Sequence, residues 1–275
     1  MAWNTSDLEI DTLELQALDA AQRIFPCEPE LLDAVPMQDI VQKYQDRIVS
    51  QKNPFIIRVA GQSGSGKSTQ LVPALEEILL QENYITINVG SFSSFHPRYQ
   101  EWQKLNPNFV REKTNGFALR ALILFYRYCV EHHTNILFDM TLLEPEIEHY
   151  LMGIAKKYGY RIQLHVLCVP KKVSDSFIRK RYLSTGRYVS QRSASYFFNV
   201  LPRALKSLVN RPFFDKTDFL CLWSHYHARP LKKASFFNPS VTTIWMKQQQ
   251  NRRIKKATDI FKPKKTWLYL LKRGS

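Results

Sequence analysis

Apolar and polar positions along this chain fall into two alternating periods. Phe55-Ile56-Ile57-Arg58-Val59-Ala60 is a short apolar run that reads as a buried strand, and 84–89, 136–138, 161–169 and 219–223 repeat the pattern. Between these runs, helical spacing covers about 67–81, 112–133, 144–158, 173–183 and 191–209. Strands alternating with helices predict an α/β fold: a largely parallel five-stranded sheet in a three-layer α/β/α arrangement. Two helices are expected ahead of the first strand, one from an N-cap at Ser6 through Phe25 and one over about 37–49. Residues 90–111, rich in Ser, Pro and Asn, read as irregular, and 184–190 as a polar loop between two helices.

The 275 residues are 44% hydrophobic and include 35 aromatic side chains. That is enough apolar material for a real core and excludes global disorder. No run approaches the roughly 20 uncharged apolar residues of a membrane span, and the longest, 118–130, is cut by Arg120 and Arg127. The opening MAWNTSDLEIDTLE is acidic, with neither the basic nor the apolar region of a secretory signal. Cys27, Cys129, Cys168 and Cys221 form no C-x-x-C pair. Buried free thiols in a reducing cytosol are therefore expected, rather than a zinc or redox motif.

Charge divides the chain further. The formal net charge is +15, but residues 1–50 carry −7, 51–245 carry +13 and 246–275 carry +9. The expected organisation is an acidic helical extension (1–50), a basic α/β body (51–225) and a basic tail (226–275). A basic body suits anionic partners. The tail, in which basic clusters alternate with aromatic and aliphatic residues, suits RNA or an anionic membrane surface, or a solvated helix docked by its aromatic end. The helix is the plainer reading. The acidic extension could dock on the basic body and cover its cleft, or be an ordinary packed addition.

The sharpest motif is Gly61-Gln62-Ser63-Gly64-Ser65-Gly66-Lys67-Ser68, followed by Thr69. It fits G-x-x-x-x-G-K-[ST] at every fixed position, with a strand before it and a helix after. Glycines let successive backbone N–H groups aim inward, and the following helix adds the positive end of its dipole. Lys67 can reach the β- and γ-phosphates of ATP, and the Ser68 hydroxyl can ligate Mg²⁺. Asp139 ends the apolar strand 136–138, where metal or acceptor chemistry occurs in an α/β sheet with such a loop. No N-K-x-D base-recognition motif is present.

Three more segments extend the match. They are Phe92-Ser93-Ser94-Phe95-His96-Pro97, then Ile136-Leu137-Phe138-Asp139-Met140-Thr141-Leu142, and Val169-Pro170-Lys171 with Arg181-Tyr182 and Thr185-Gly186-Arg187-Tyr188-Val189. In this order and spacing, over about 50–225, the chain resembles the zeta-toxin family of P-loop kinases. The resemblance implies a fold like that of nucleoside and shikimate kinases. It implies transfer of the ATP γ-phosphate to a hydroxyl, typically of a UDP-activated amino sugar and in at least one relative of a nicotinamide dinucleotide. It places Arg181 near ATP on the lid side, has Arg187 stabilise the transferring phosphoryl group, and turns Asp139 and Thr141 to the acceptor. Ser91 and His96 complete the expected substrate-binding set, although His96 also fits a packed structural role beside Pro97. An antitoxin or other inhibitory partner is implied as well.

One position departs from the family. Its strand-2 exit carries an aspartate as general base, and the matching residue here is Gly90. No Asp or Glu lies between Glu82 and Glu101, and Asn88 and Ser91 are poor bases at neutral pH. Either Asp139 takes the task from across the cleft, or transfer proceeds weakly without a base, or the chain binds nucleotide without this reaction. The readings are a small-molecule kinase with toxin- or effector-like consequences, a catalytically degenerate nucleotide-binding interaction protein, and a polynucleotide kinase or RNA-binding ATPase.

Overall fold

Phe55–Gly61 is buried at every position, and a strand covered on both faces belongs inside a parallel sheet. The structure, a computed structural model, describes residues 10–169, 171–186, 188–209, 219–224 and 232–235. Its strands are β1 (Phe55–Gly61), β2 (Ile85–Ile87), β3 (Ile136–Asp139), β4 (Arg161–Cys168), β5 (Phe219–Ser224) and β6 (Lys232–Ser235), in the sheet order β2-β3-β1-β4-β5-β6. β1 pairs in parallel with both β3 and β4, so the phosphate loop leaves the middle of the sheet beside Asp139. The five strands expected from the sequence are parallel, and the sheet gains a sixth, antiparallel strand on β5. Lys232-Lys233-Ala234-Ser235 has no apolar run to announce it.

The helices are α1 (Ile10–Ile24), α2 (Met37–Tyr44), α3 (Val72–Ile78), α4 (Tyr99–Leu105), α5 (Val110–Glu131), α6 (Pro145–Lys157), α7 (Lys171–Thr185) and α8 (Gln191–Val209). Alternation along β1 splits the core in two. Ile56 and Ala60 join the larger cluster with α1, α5, α6 and α8. Phe55, Ile57 and Val59 join a smaller one with Leu71, Leu75 and Leu79 on and beside α3. The result is the three-layer α/β/α arrangement.

The N-terminal helix belongs to the larger cluster. Ala17, Ala20 and Ala21 are buried on one side of α1, and such small side chains let it lie close to α6 and α5. Arg127 of α5 binds Asp11 at 3.1 Å, Glu131 at 2.8 Å and also Glu14, while Arg23 reaches Glu146 at 3.1 Å. Just after α1 the backbone rests on α5 at Gly116, where a Cβ would sit 2.5 Å from the Pro26 carbonyl oxygen and 2.6 Å from that of Phe25.

Three segments differ from expectation. The helix after the phosphate loop opens as a wide π-turn, Lys67–Leu71, before α3, because Pro73 has no N–H to donate to the turn before it. Residues 90–111 contain a 3₁₀ segment, Val89–Phe95, and α4; the Asn88 side chain starts the first by accepting the Ser91 N–H at 3.2 Å. The helix expected over 37–49 ends as α2 and a 3₁₀ turn, Gln45–Arg47. Ser6, and the tail apart from β6, lie outside the described residues.

Candidate active site

The phosphate loop is shaped before any ligand is considered. Gly64 has φ +73°, and a Cβ there would stand 2.3 Å from the Ser174 carbonyl oxygen of α7. Only glycine satisfies both the backbone angle and that approach. Gln62 is buried and donates from Nε2 to the Val169 carbonyl at 2.5 Å, tying the loop to the end of β4. Lys67 curls back so that Nζ donates to the carbonyls of Gly61 at 2.6 Å and Gln62 at 3.3 Å.

Next to this loop, Ser68 Oγ donates to Asp139 Oδ2 at 2.9 Å. Asp139 Oδ1 is buried without a hydrogen-bond partner among the described residues, and so is Thr141 Oγ1. A hydroxyl and a carboxylate beside a phosphate loop are hard oxygen donors of the kind Mg²⁺ takes. The residues present therefore fit the ion.

Both groups open on a cleft of about 1000 Å³, at the top of the usual range for one small ligand and roomy enough for a donor and an acceptor together. Residues 63–69 line one end. Asp139 and Thr141 lie on the wall, and Asn88, Arg111 and Asn115 also face the space. Lys180 and Arg181 of α7 add positive charge. Arg181 Nε is buried without a partner among the described residues, and desolvation lowers the guanidinium's pKa from its ordinary value. An anion entering the cleft would relieve that penalty.

The structure thus gathers Ser63, Gly64, Ser65, Gly66, Lys67, Ser68, Thr69, Asp139, Thr141 and Arg181 around one space. Gly61 and Gln62 support the loop from behind. Ser91 and His96 are not on the cleft wall. His96 is buried between Trp102, at 4.6 Å between ring centroids, and Phe117, at 5.1 Å, and its Nδ1 accepts the Arg98 N–H at 3.0 Å. This is the packed role, set by the aromatic residues around it. Arg187 lies outside the described residues. Sequence reasoning passed over Arg111, Asn115 and Lys180, which lie on helices with no motif. It also passed over Phe25, which reaches the cleft from the end of α1 and contacts Phe197 at 6.1 Å between centroids. No other described residue of 10–50 lines the cleft, so α1 lies on α5 and α6 rather than across the phosphate loop.

A central parallel strand feeding a phosphate loop, with a serine and an aspartate joined beside it, defines a P-loop protein. The family model of the Zeta toxin matches residues 38–256, and the chain belongs to that family of P-loop kinases. Toxin PezT of Streptococcus pneumoniae serotype 4 (strain ATCC BAA-334 / TIGR4) is 29% identical over 136 residues, covering 50% of each chain. The match thus spans about half the length of that curated relative. Among solved structures, one from the PezAT chromosomal toxin–antitoxin system of Streptococcus pneumoniae superposes with a TM-score of 0.59 at 18% identity, covering 90% of this chain and 95% of the other. The AvrRxo1-ORF1:-ORF2 complex gives 0.52 at 12% identity, covering 90% and 76%. At these identities the structural likeness speaks for the fold. Among the described residues no helix is long and apolar enough to cross a membrane.

Proposed function

We propose that this protein is an ATP- and Mg²⁺-dependent kinase. It transfers the γ-phosphate to a hydroxyl of a nucleotide-linked metabolite, a UDP-sugar or a dinucleotide of the NAD type, with toxin- or effector-like consequences in the cytosol where it acts. The observation that carries this reading is the 2.9 Å bond from Ser68 to Asp139. It brings the last hydroxyl of the phosphate loop to the acid at the carboxyl end of β3.

Phosphoryl transfer demands positioning and charge neutralisation more than covalent chemistry from the protein. The backbone of 63–66 cradles phosphate oxygens, and Lys67 exchanges the carbonyls of Gly61 and Gln62 for them. Ser68 and Asp139 would hold Mg²⁺, which would supply charge neutralisation for the phosphates. Arg181 meets the charge that develops on the transferring group, a task in which the family resemblance also places Arg187. Thr141 orients the acceptor, and Asp139 Oδ1 takes the part that Gly90 cannot play. An antitoxin-type protein that covers the cleft would silence the enzyme, in keeping with the toxin–antitoxin system of the PezAT neighbour.

Position 90 favours a second reading, a nucleotide-binding interaction protein without transfer. A Cβ there would face Asn88 Oδ1 at 3.2 Å and the Arg111 guanidinium at 3.4 Å, an amide and a cation rather than a base. Transfer from γ-labelled ATP-Mg²⁺ to UDP-sugars, NAD, nucleosides and RNA 5′ ends separates the readings. The kinase reading expects one small acceptor to be labelled and the label to vanish in Lys67→Ala. ATP binding with no acceptor labelled would establish the second, and labelled RNA ends would point to a polynucleotide kinase.

A further inference from the structure

Arg58 is the one charged residue in β1, and its side chain is fully buried. It lies on the face of the sheet opposite α3, with the guanidinium carbon 4.3 Å from the centre of the Phe138 ring. Nη2 pairs with Glu148 Oε1 of α6 at 2.9 Å, and the Glu148 side chain is also fully buried. Apart from a 3.5 Å contact of Arg58 Nη1 with the Val59 carbonyl, the remaining contacts converge on one short segment. Arg58 Nη1 donates to the Met140 carbonyl at 2.6 Å and Nη2 to the Thr141 carbonyl at 3.1 Å, while Glu148 Oε1 accepts the Leu143 N–H at 2.8 Å. This is the loop that follows Asp139 and carries Thr141.

As a device for stability the pair is poor. Burying two charges costs more than their attraction returns unless every polar atom is satisfied, and Arg58 Nε and Glu148 Oε2 have no partner among the described residues. An apolar pair of similar volume would hold β1 to α6 at least as well. What an apolar pair cannot do is grip two successive carbonyls and an N–H of the same loop from beneath.

We propose that Arg58 and Glu148 are positioning residues for phosphoryl transfer. From inside the core they set the backbone of 140–143, and so the placement of Asp139 against Ser68 and of Thr141 in the cleft. The catalytic consequence rests on the kinase reading above; the setting of the loop does not. The pair makes no contact with nucleotide or acceptor.

The test compares the full chain with Arg58→Met/Glu148→Gln, which removes the charges together and keeps an acceptor for the Leu143 N–H, and with Arg58→Lys, which keeps the charge and a donor. Amide exchange without nucleotide is expected to quicken about tenfold or more at 140–143 in the double variant, with 56–60 and 136–138 unchanged. ATP affinity without Mg²⁺ should stay within about threefold of wild type, whereas the gain in affinity on adding Mg²⁺ shrinks about threefold or more and kcat falls about tenfold or more at similar KM. Arg58→Lys should fall between the two, and it answers the question if the double variant does not fold. Unchanged exchange at 140–143, or a wild-type response to Mg²⁺, would overturn the proposal. If the wild-type chain transfers no phosphate the kinase reading fails alone, and exchange and Mg²⁺ response still decide this one.

Discussion

Asp139 shows how much of the chemistry sits in single side chains. One carboxylate oxygen accepts from Ser68 while the other is buried and unpartnered, an arrangement that costs free energy unless a cation or an acceptor hydroxyl completes it. Asp139→Asn should leave Mg²⁺-free ATP binding nearly intact and lower transfer about a hundredfold or more, which steady-state kinetics would read. Gly64→Ala should act on binding instead. The left-handed backbone alone costs about 1–2 kcal/mol, and the Cβ meets the Ser174 carbonyl oxygen at 2.3 Å, so the loop must shift and titration calorimetry should show weaker ATP binding. His96 carries a pH dependence. Burial lowers its pKa from the ordinary 6.5, against the pull of Glu28. The folded state therefore binds this proton less readily than the unfolded chain. The stabilisation is full above the ordinary value and is lost as pH falls through it toward the folded value. Thermal midpoints between about pH 7.5 and about pH 5.5 should fall, and His96→Phe should flatten the slope. At this scale the phosphate loop and Asp139 were legible because fixed spacing and strand context announce them. Arg58 was visible only as a charge in an apolar run, and its meaning depends on Glu148, ninety residues away.

Among the elements, strands and long helices were readable because burial imposes a period on their sequences. The four inner strands and α5, α6 and α8 lie within a few residues of where the pattern puts them. What was not readable lacked that period. β6 is a short, basic edge strand, and residues 89–105 form two short helical segments shaped by a local Asn88 cap and by packing around His96. Nor could spacing foretell that Gly116 of α5 carries the backbone of residues 25 and 26. Gly116→Val should push that segment outward, lowering the thermal midpoint and moving Phe25 on the cleft wall. With the backbone as the obstacle, the loss should reach the roughly 1–3 kcal/mol of an overpacked core.

For the whole molecule, residues 10–50 follow the plainer of the two alternatives, an extension packed into the body. Ile10, Ala17, Ala20, Ala21, Cys27 and Ile40 are all in the main core cluster. Full burial of each large aliphatic side chain contributes about 1.5–3 kcal/mol, against a total stability of about 5–15 kcal/mol for a typical domain. A chain of residues 51–275 should therefore lose its cooperative unfolding transition in calorimetry rather than gain activity by uncovering the cleft. The net charge of +15 favours anionic ligands in general and selects none of them. In the proposed function, Ser68 and Asp139 make the cleft a site of phosphoryl transfer. The most direct test of that role is the rate of γ-phosphate transfer by wild type and by Asp139→Asn at saturating ATP-Mg²⁺. Wild type should transfer phosphate measurably, and the variant should lose about a hundredfold or more with ATP still bound. Equal rates in the two proteins, or ATP bound by wild type with no phosphate transferred, would contradict that role.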